Sequence, residues 1–384
     1  IRPRDWSSDV CSSDLAAINL LAPYAVGREV SDLAKNMGEF AKSLVRDSQM
    51  RWLGPEKGIT HMAAGAVINA AWDLISKNAG KPLWKYLSDL SPEEIVDLVD
   101  FRYITDYISP EEALAILNKA KVNRAENEKE LLANGLPAYT TSAGWLGYSD
   151  EKMVRLAKEA VADGFKLIKL KCGTNLEDDK RRLKLAREAI GPDVKLAIDA
   201  NQVWDVNDAI KWINDLGDVN LHWVEEPTSP DDVLGHASIA KAIAPVRVAT
   251  GEHVMNRIIF KQLVQAESFS FMQVDASRVA GMNENIAMLL MAAKAGIPVC
   301  PHAGGVGLCE MVQHVAMFDF VAVGGKHPDR VVEFVDHLHE HFVVPTDIRN
   351  AHYMPPLKSG AGAEMFEKSI SDFTFPTGKE WVNG

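Results

Sequence analysis

Phe165-Lys166-Leu167-Ile168-Lys169-Leu170-Lys171 reads as a short apolar β-strand with two lysines at its carboxyl end. Lys195-Leu196-Ala197-Ile198-Asp199-Ala200 repeats the arrangement one unit later, with a carboxylate in the same place. Residues two apart share a strand face, so Lys169 and Lys171 point one way while Ile168 and Leu170 point the other. By the same parity Asp199 shares a face with Asn201. Working outward, strands are expected at 138–142, 165–171, 195–200, 221–225, 246–252, 271–275, 297–302 and 331–335. Amphipathic helices fit between them, for example at 150–163, 176–190, 206–216 and 283–295. Eight strands alternating with helices predict an α/β fold of the (β/α)₈, TIM-like barrel type over residues 137–343, with its last helix modified. An open doubly wound sheet is the rival, but no Gly-x-Gly-x-x-Gly turn follows its first strand.

Strands of such a barrel are buried on both faces, so a charge near a carboxyl end needs a reason, and that end is where barrels place their chemistry. Seven of the eight strands carry one: Lys169 and Lys171, then Asp199, Glu225, Glu252, Asp275, His302 and Glu333. From Lys171 onward they recur at intervals of 28, 26, 27, 23, 27 and 31 residues, close to one strand-helix unit each. A ring around one mouth is expected.

Composition narrows the class. The 384 residues are 47% hydrophobic and 24% charged, which suits a folded core and argues against disorder. The formal charge of −12, from 41 basic and 53 acidic residues, offers nothing to a polyanion, so no nucleic-acid partner is expected. Lys294 interrupts the most apolar run, so no membrane span is expected. Four cysteines without CxxC spacing fit a reducing, cytoplasmic setting. Residues 31–120 have helical periodicity, with a small-residue helix from Met62 to Trp72 suited to close packing.

The ring predicts a chemistry. Asp199, Glu225 and Glu252 are three hard oxygen ligands on successive strands, with no cysteine or histidine among them, which favours Mg²⁺. A divalent ion facing a substrate carboxylate stabilises the dianion left when the α-proton is removed. Lys171 is the candidate base, its pKa drawn toward neutrality by Lys169 and the metal. Asp275 and His302 form a candidate dyad in which the carboxylate orients the imidazole. Glu333 completes the ring. His337, His339 and His341 lie in a charged stretch and read as a solvated surface.

With these residues the chain resembles the enolase superfamily, in its mandelate-racemase-like branch. Lys169-Leu170-Lys171, Asp199-Ala200-Asn201, Glu225-Glu226-Pro227, Gly251-Glu252 and the Asp275 and His302 pair carry the likeness. Longer stretches, 51–58, 101–103, 144–150, 225–232 and 301–310, resemble L-fuconate dehydratases. The resemblance implies an acid-sugar hydro-lyase that converts L-fuconate to its 2-keto-3-deoxy product. It implies that Lys171 takes the α-proton and that Asp199, Glu225 and Glu252 hold Mg²⁺. His302, oriented by Asp275, protonates the leaving 3-hydroxyl, Lys169 polarises the carboxylate, and Glu333, Asn201 and Trp145 contact the substrate. It further implies a mostly helical α+β capping domain over residues 16–136 and a C-terminal segment, 344–384, that packs back on it.

Residues 1–15 are set apart. Asp5 to Leu15 reads as the translation of a sequencing-adapter primer rather than native sequence, which would leave the capping domain truncated at its start and the chain weakly active. Two other functions remain open: another acid-sugar dehydratase or racemase with the same ring, and a catalytically silent barrel that binds a metabolite. A homo-oligomer is also left open.

Overall fold

The structure is a computed structural model that describes residues 12–382; residues 1–11, Cys11 among them, fall outside it together with most of the stretch read as non-native. Among the described residues before the first strand, the regular elements are all helices, apart from one isolated bridge at Pro82. The small-residue helix is there, as Gly58–Asn78. Gly65 lets its backbone lie against the barrel, because a Cβ there would stand 2.4 Å from the carbonyl oxygen of Val279.

The strands β1 (Leu136–Thr140), β2 (Leu167–Lys171), β3 (Lys195–Asp199), β4 (Leu221–Glu225), β5 (Arg247–Thr250) and β6 (Phe271–Met272) run parallel in sequence order, and β7 (Val332–Phe334) pairs with the other side of β1. Between β6 and β7 the sequence predicts a regular strand at 297–302. The segment is extended but makes only one bridge, Met272 to Val299, because Pro298 and Pro301 have no amide hydrogens to give. Its remaining groups still close the barrel. Met272 donates to the carbonyl of Pro298 at 3.0 Å, Cys300 to Met272 at 2.8 Å, His302 to Val274 at 3.0 Å, and Glu333 to Pro301 at 3.1 Å.

Helices cover the outside, starting with Asp150–Ala162, Leu176–Ile190 and Val206–Asp215. Two of these starts are written in the sequence: Ser149 accepts from the amide of Lys152 and Asn175 from that of Asp178, each cap contributing about 1 kcal/mol. After β7 the barrel helix is replaced by a hairpin, β8 (Ile348–Arg349) and β9 (His352–Tyr353), whose second strand pairs antiparallel with β1. The chain then touches the N-terminal helices. Leu83 donates to the carbonyl of Gly360 at 2.9 Å and the amide of Ala361 to Asp73 at 2.7 Å.

The barrel interior holds its own apolar layer. Tyr139, Leu167, Ala197, Trp223, Ala249, Phe271 and Cys300 form a cluster separate from the main core, contributed by successive strands. Cys172, Cys300 and Cys309 are all free and buried. No described helix is long and apolar enough to cross a membrane.

Candidate active site

The ring assembles at the carboxyl ends of the strands. Lys169 is fully buried; its Nζ contacts Glu225 Oε1 and lies 3.0 Å from Glu333 and 3.6 Å from Asp199. Burial alone would strip its proton, but those carboxylates outweigh it and hold its pKa well above the ordinary lysine value. Lys171, one pleat further out, contacts Asp199 Oδ2. The sequence predicts a lowered pKa for it. Burial and Lys169 do push it down, yet Asp199 and Glu252 prevail and the net direction is up. Asp199, facing both lysines, is held at about 2 against the opposing effect of its burial.

Asp199, Glu225 and Glu252 are all buried, and each offers an oxygen within 4.8 Å of the others'. Glu252 Oε2 is buried with no hydrogen-bond partner, an arrangement that costs free energy unless a cation meets it. With burial and three neighbouring carboxylates, the pKa of Glu225 rises well above normal, which marks how crowded with negative charge this end is. Three hard oxygens, one of them unsatisfied, fit a divalent cation of the Mg²⁺ type. The strand geometry that delivers Glu252 depends on Gly251, whose φ is +143°. A Cβ there would stand 2.4 Å from the carbonyl oxygen of Gln273, so no side chain fits.

His302 faces the other end of this triad. Its Nδ1 lies 2.7 Å from Asp275 Oδ2, and its Nε2 stands 3.6 Å from Glu252 and 3.8 Å from Glu333. The amide nitrogen of Gly304 stands 3.1 Å from Nε2. Burial lowers the ring's proton affinity, but Glu252, Asp275 and Glu333 raise it further, to about 10. Glu333 is itself pinned by Thr141 Oγ1 at 2.6 Å and the amide of Ala303 at 3.0 Å.

Of the other expected residues, Trp145 is half-buried with its ring 5.5 Å from Lys171 Nζ, within cation–π range. Asn201 does not join the ring through its side chain. It lies beyond β3 with φ +45°, which breaks the strand alternation; its amide donates to Asp199 Oδ1 at 2.8 Å and its side chain is exposed. The histidines at 337–341 are not simply solvated: His339 meets the buried Glu310 at 2.6 Å and stacks on Phe334, and His341 bonds Ser369 at 3.0 Å.

Several participants are not among those expected from the sequence. Gln273 donates to Glu225 Oε2 at 2.6 Å, and strand parity with Asp275 is the signal that would have found it. Arg182, on the helix after β2, donates to three carbonyls at the mouth. Glu226, next to a ligand candidate, is fully buried.

A family description, enolase C-terminal domain-like, matches residues 152–369. Mitochondrial enolase superfamily member 1 of Bos taurus is 50% identical over 369 residues, 96% of this chain and 83% of that protein. L-galactonate dehydratase of Hypocrea jecorina is 48% identical over 373 residues, 96% of this chain and 82% of that protein. The crystal structure of human mitochondrial enolase superfamily member 1 superposes with a TM-score of 0.95 at 49% identity, covering 96% of this chain and 84% of that one. L-talarate dehydratase from Polaromonas sp. JS666, solved with Mg and L-glucarate, shares the fold at a TM-score of 0.69 and 24% identity, over 93% of this chain and 79% of that one. With a barrel closed around this ring of charges, and with these relatives, the chain belongs to the enolase superfamily.

Proposed function

We propose that this protein is an acid-sugar hydro-lyase that uses Mg²⁺ to dehydrate L-fuconate to 2-keto-3-deoxy-L-fuconate. One observation carries the reading: two proton-transfer groups of different kinds, Lys171 and the His302–Asp275 pair, flank opposite ends of one carboxylate triad, Lys171 at Asp199 and His302 at Glu252. The L-galactonate dehydratase relative supports the substrate class. L-fuconate is 6-deoxy-L-galactonate, so the two acids present the same stereochemistry from C2 to C5.

Asp199, Glu225 and Glu252 would hold the ion. Bound there, Mg²⁺ supplies Lewis-acid stabilisation of the charge that develops on the substrate carboxylate. Lys171 removes the proton from C2 as the base, and Asp199 would meet it less closely where that carboxylate is engaged as a ligand. Lys169, held protonated in its nest of carboxylates, donates to the substrate carboxylate. His302, once protonated at Nε2, gives that proton to the 3-hydroxyl as the C3–O bond breaks and water leaves. The enol that remains takes a proton at C3 and gives up the proton of its C2 hydroxyl to become the keto acid. Asp275 keeps the imidazole oriented throughout, and Trp145 walls the side of Lys171.

The test is keto-acid formation from L-fuconate, L-galactonate and galactarate, with and without Mg²⁺. Metal-dependent product from L-fuconate is expected. Product from L-galactonate alone would move the substrate by one hydroxyl, while α-proton exchange without keto acid would favour a racemase. Silence on all three would leave a binding barrel.

A further inference from the structure

The three candidate ligands have a second tier of side chains standing one step outside them, on the same three strand ends. Gln202 follows Asp199 by three residues, Glu226 follows Glu225 by one, and His253 follows Glu252 by one. These outer residues are joined to each other. Gln202 Nε2 donates to both oxygens of Glu226, at 3.1 and 3.0 Å, and His253 Nδ1 lies 2.8 Å from Glu226 Oε1. His253 Nδ1 is also 3.4 Å from Glu252 Oε1, so the tier reaches back to the ligand set. Backbone bonds lock it in place, with the amide of Gln202 on the carbonyl of Glu226 at 2.8 Å and the amide of Glu226 on that of Ala249 at 3.1 Å.

This arrangement is held against local preference. Gln202 and Glu226 both adopt left-handed backbone conformations, φ +67° and +43°, which neither residue type favours. Glu226 is also a fully buried carboxylate beside another, Glu252. A buried acid in a strained conformation with no contact to the reacting groups needs a purpose, and such strain gathers at functional sites. Because Glu226 draws His253 toward itself, His253 faces Glu252 Oε1 from outside, while Glu252 Oε2 is left unpartnered on the side of His302.

Resting on the reading of the triad as a Mg²⁺ site, we propose that Gln202, Glu226 and His253 are positioning residues that fix the rotamer of Glu252 and so set the affinity of the site for its divalent cation. Partners outside a ligand set commonly change metal affinity about 10- to 100-fold. The alternative use of the same atoms is a second cation held by Glu226, Glu252 and His253, whose ligand atoms also lie within 4.8 Å of one another. His253 bonded to Glu226 argues for the positioning role, since Nδ1 donates its N–H in that bond and so has no lone pair to offer a cation.

The experiment titrates chelator-treated protein with Mn²⁺ and follows free Mn²⁺ by electron paramagnetic resonance, alongside thermal unfolding of the metal-free protein. Wild type should bind one ion per chain. Glu226→Gln and His253→Leu should raise the Mn²⁺ dissociation constant about 10- to 100-fold with little change in metal-free unfolding. His253→Gln, which keeps an N–H donor, should recover most of the loss, and so should the kcat of each variant at saturating Mg²⁺. Gln202→Leu, a milder change should the others fail to fold, should weaken binding several-fold. Dissociation constants within twofold of wild type, or two ions per chain with one lost in Glu226→Gln, would overturn the proposal while leaving the triad in place. A wild-type protein that binds no Mn²⁺ would overturn the metal reading as well.

Discussion

Arg182 holds Lys171 by its backbone: Nη1 donates to the Lys171 carbonyl at 2.7 Å, while Nη2 donates to those of Gly144 at 3.1 Å and Trp145 at 3.2 Å. One buried guanidinium thus ties the end of β2 to the loop after β1. Gly144 makes this possible, because a Cβ there would stand 2.3 Å from the Lys169 carbonyl. Lysine has the charge but not the fork that spans three acceptors. Arg182→Lys should therefore lower kcat roughly 10- to 100-fold, by displacing the proposed base, with a smaller effect on substrate KM. Steady-state kinetics would check it; an unchanged kcat would show that the clamp does not hold the base.

The two proposed proton-transfer groups should be separable. Lys171→Ala should abolish both product and exchange of the C2 proton, whereas His302→Asn should stop product formation while Lys171 still exchanges that proton with solvent. Each loss should be about 10²- to 10⁴-fold. Proton NMR of L-fuconate in D₂O with each variant reads both events. Loss of exchange in His302→Asn would reverse the assignment.

Acid sensitivity has an identifiable source at the contact between the N-terminal helices and the barrel. His314, on the helix Leu308–Phe318, is buried, and its Nδ1 accepts from the amide of Trp84 at 3.2 Å. Burial lowers its pKa from 6.5 to about 3, although Asp73 and the Ala361 backbone oppose this. Above pH 6.5 the ring is neutral folded or unfolded, and its protonation costs the fold nothing. Below that value the unfolded chain takes up a proton that the folded one refuses down to about pH 3, so stability falls across this window by about 1.4 kcal/mol per pH unit. His314→Gln should flatten that part of the profile, measured by urea unfolding from pH 7 to 4. A profile as steep as that of wild type would assign the effect elsewhere.

A buried ionic knot joins the same two regions beside β5. Glu56 accepts from Arg51 at 2.9 Å, Arg102 at 2.8 Å and Arg257 at 2.9 Å, and Arg257 is also held by Glu284 at 3.1 Å. Glu56→Gln should cost about 3 kcal/mol, since it removes the buried carboxylate that three guanidiniums share. Removing the exposed pair partner Arg28, bonded to Asp32, should cost less than about 1 kcal/mol. Denaturant midpoints of the two variants test the contrast, and equal losses would refute it.

The ring itself was legible because strand parity and unit spacing are one-dimensional properties. Lys169, Lys171, Asp199, Glu225 and Glu252 could be placed on one mouth without any contact being known. Asn201 leaves the face of Asp199 for a local reason, its positive φ, which no alternation rule foresees. The segment 297–302 paired less regularly than expected because of its two prolines, although these are plain in the sequence. The pKa direction of Lys171 depended on a distance, its contact with Asp199, that spacing does not supply. Arg182 was illegible for a different reason: on a charged amphipathic helix nothing sets it apart from Arg181, which is exposed and paired with Asp150 and Asp178.

The aromatic layer inside the barrel also decides where a proton can go. Tyr139, Trp223 and Phe271 lie beneath the charges and are fully buried. Tyr139 and Trp223 meet edge to face with their centroids 5.3 Å apart. An apolar floor of this kind offers a proton no polar group to move along, so in the proposed mechanism the hydrogen taken from substrate by Lys171 returns to the sugar or exchanges through the mouth. The fraction of substrate-derived label that survives in product would then report how fast the Lys171 ammonium exchanges with solvent within one turnover.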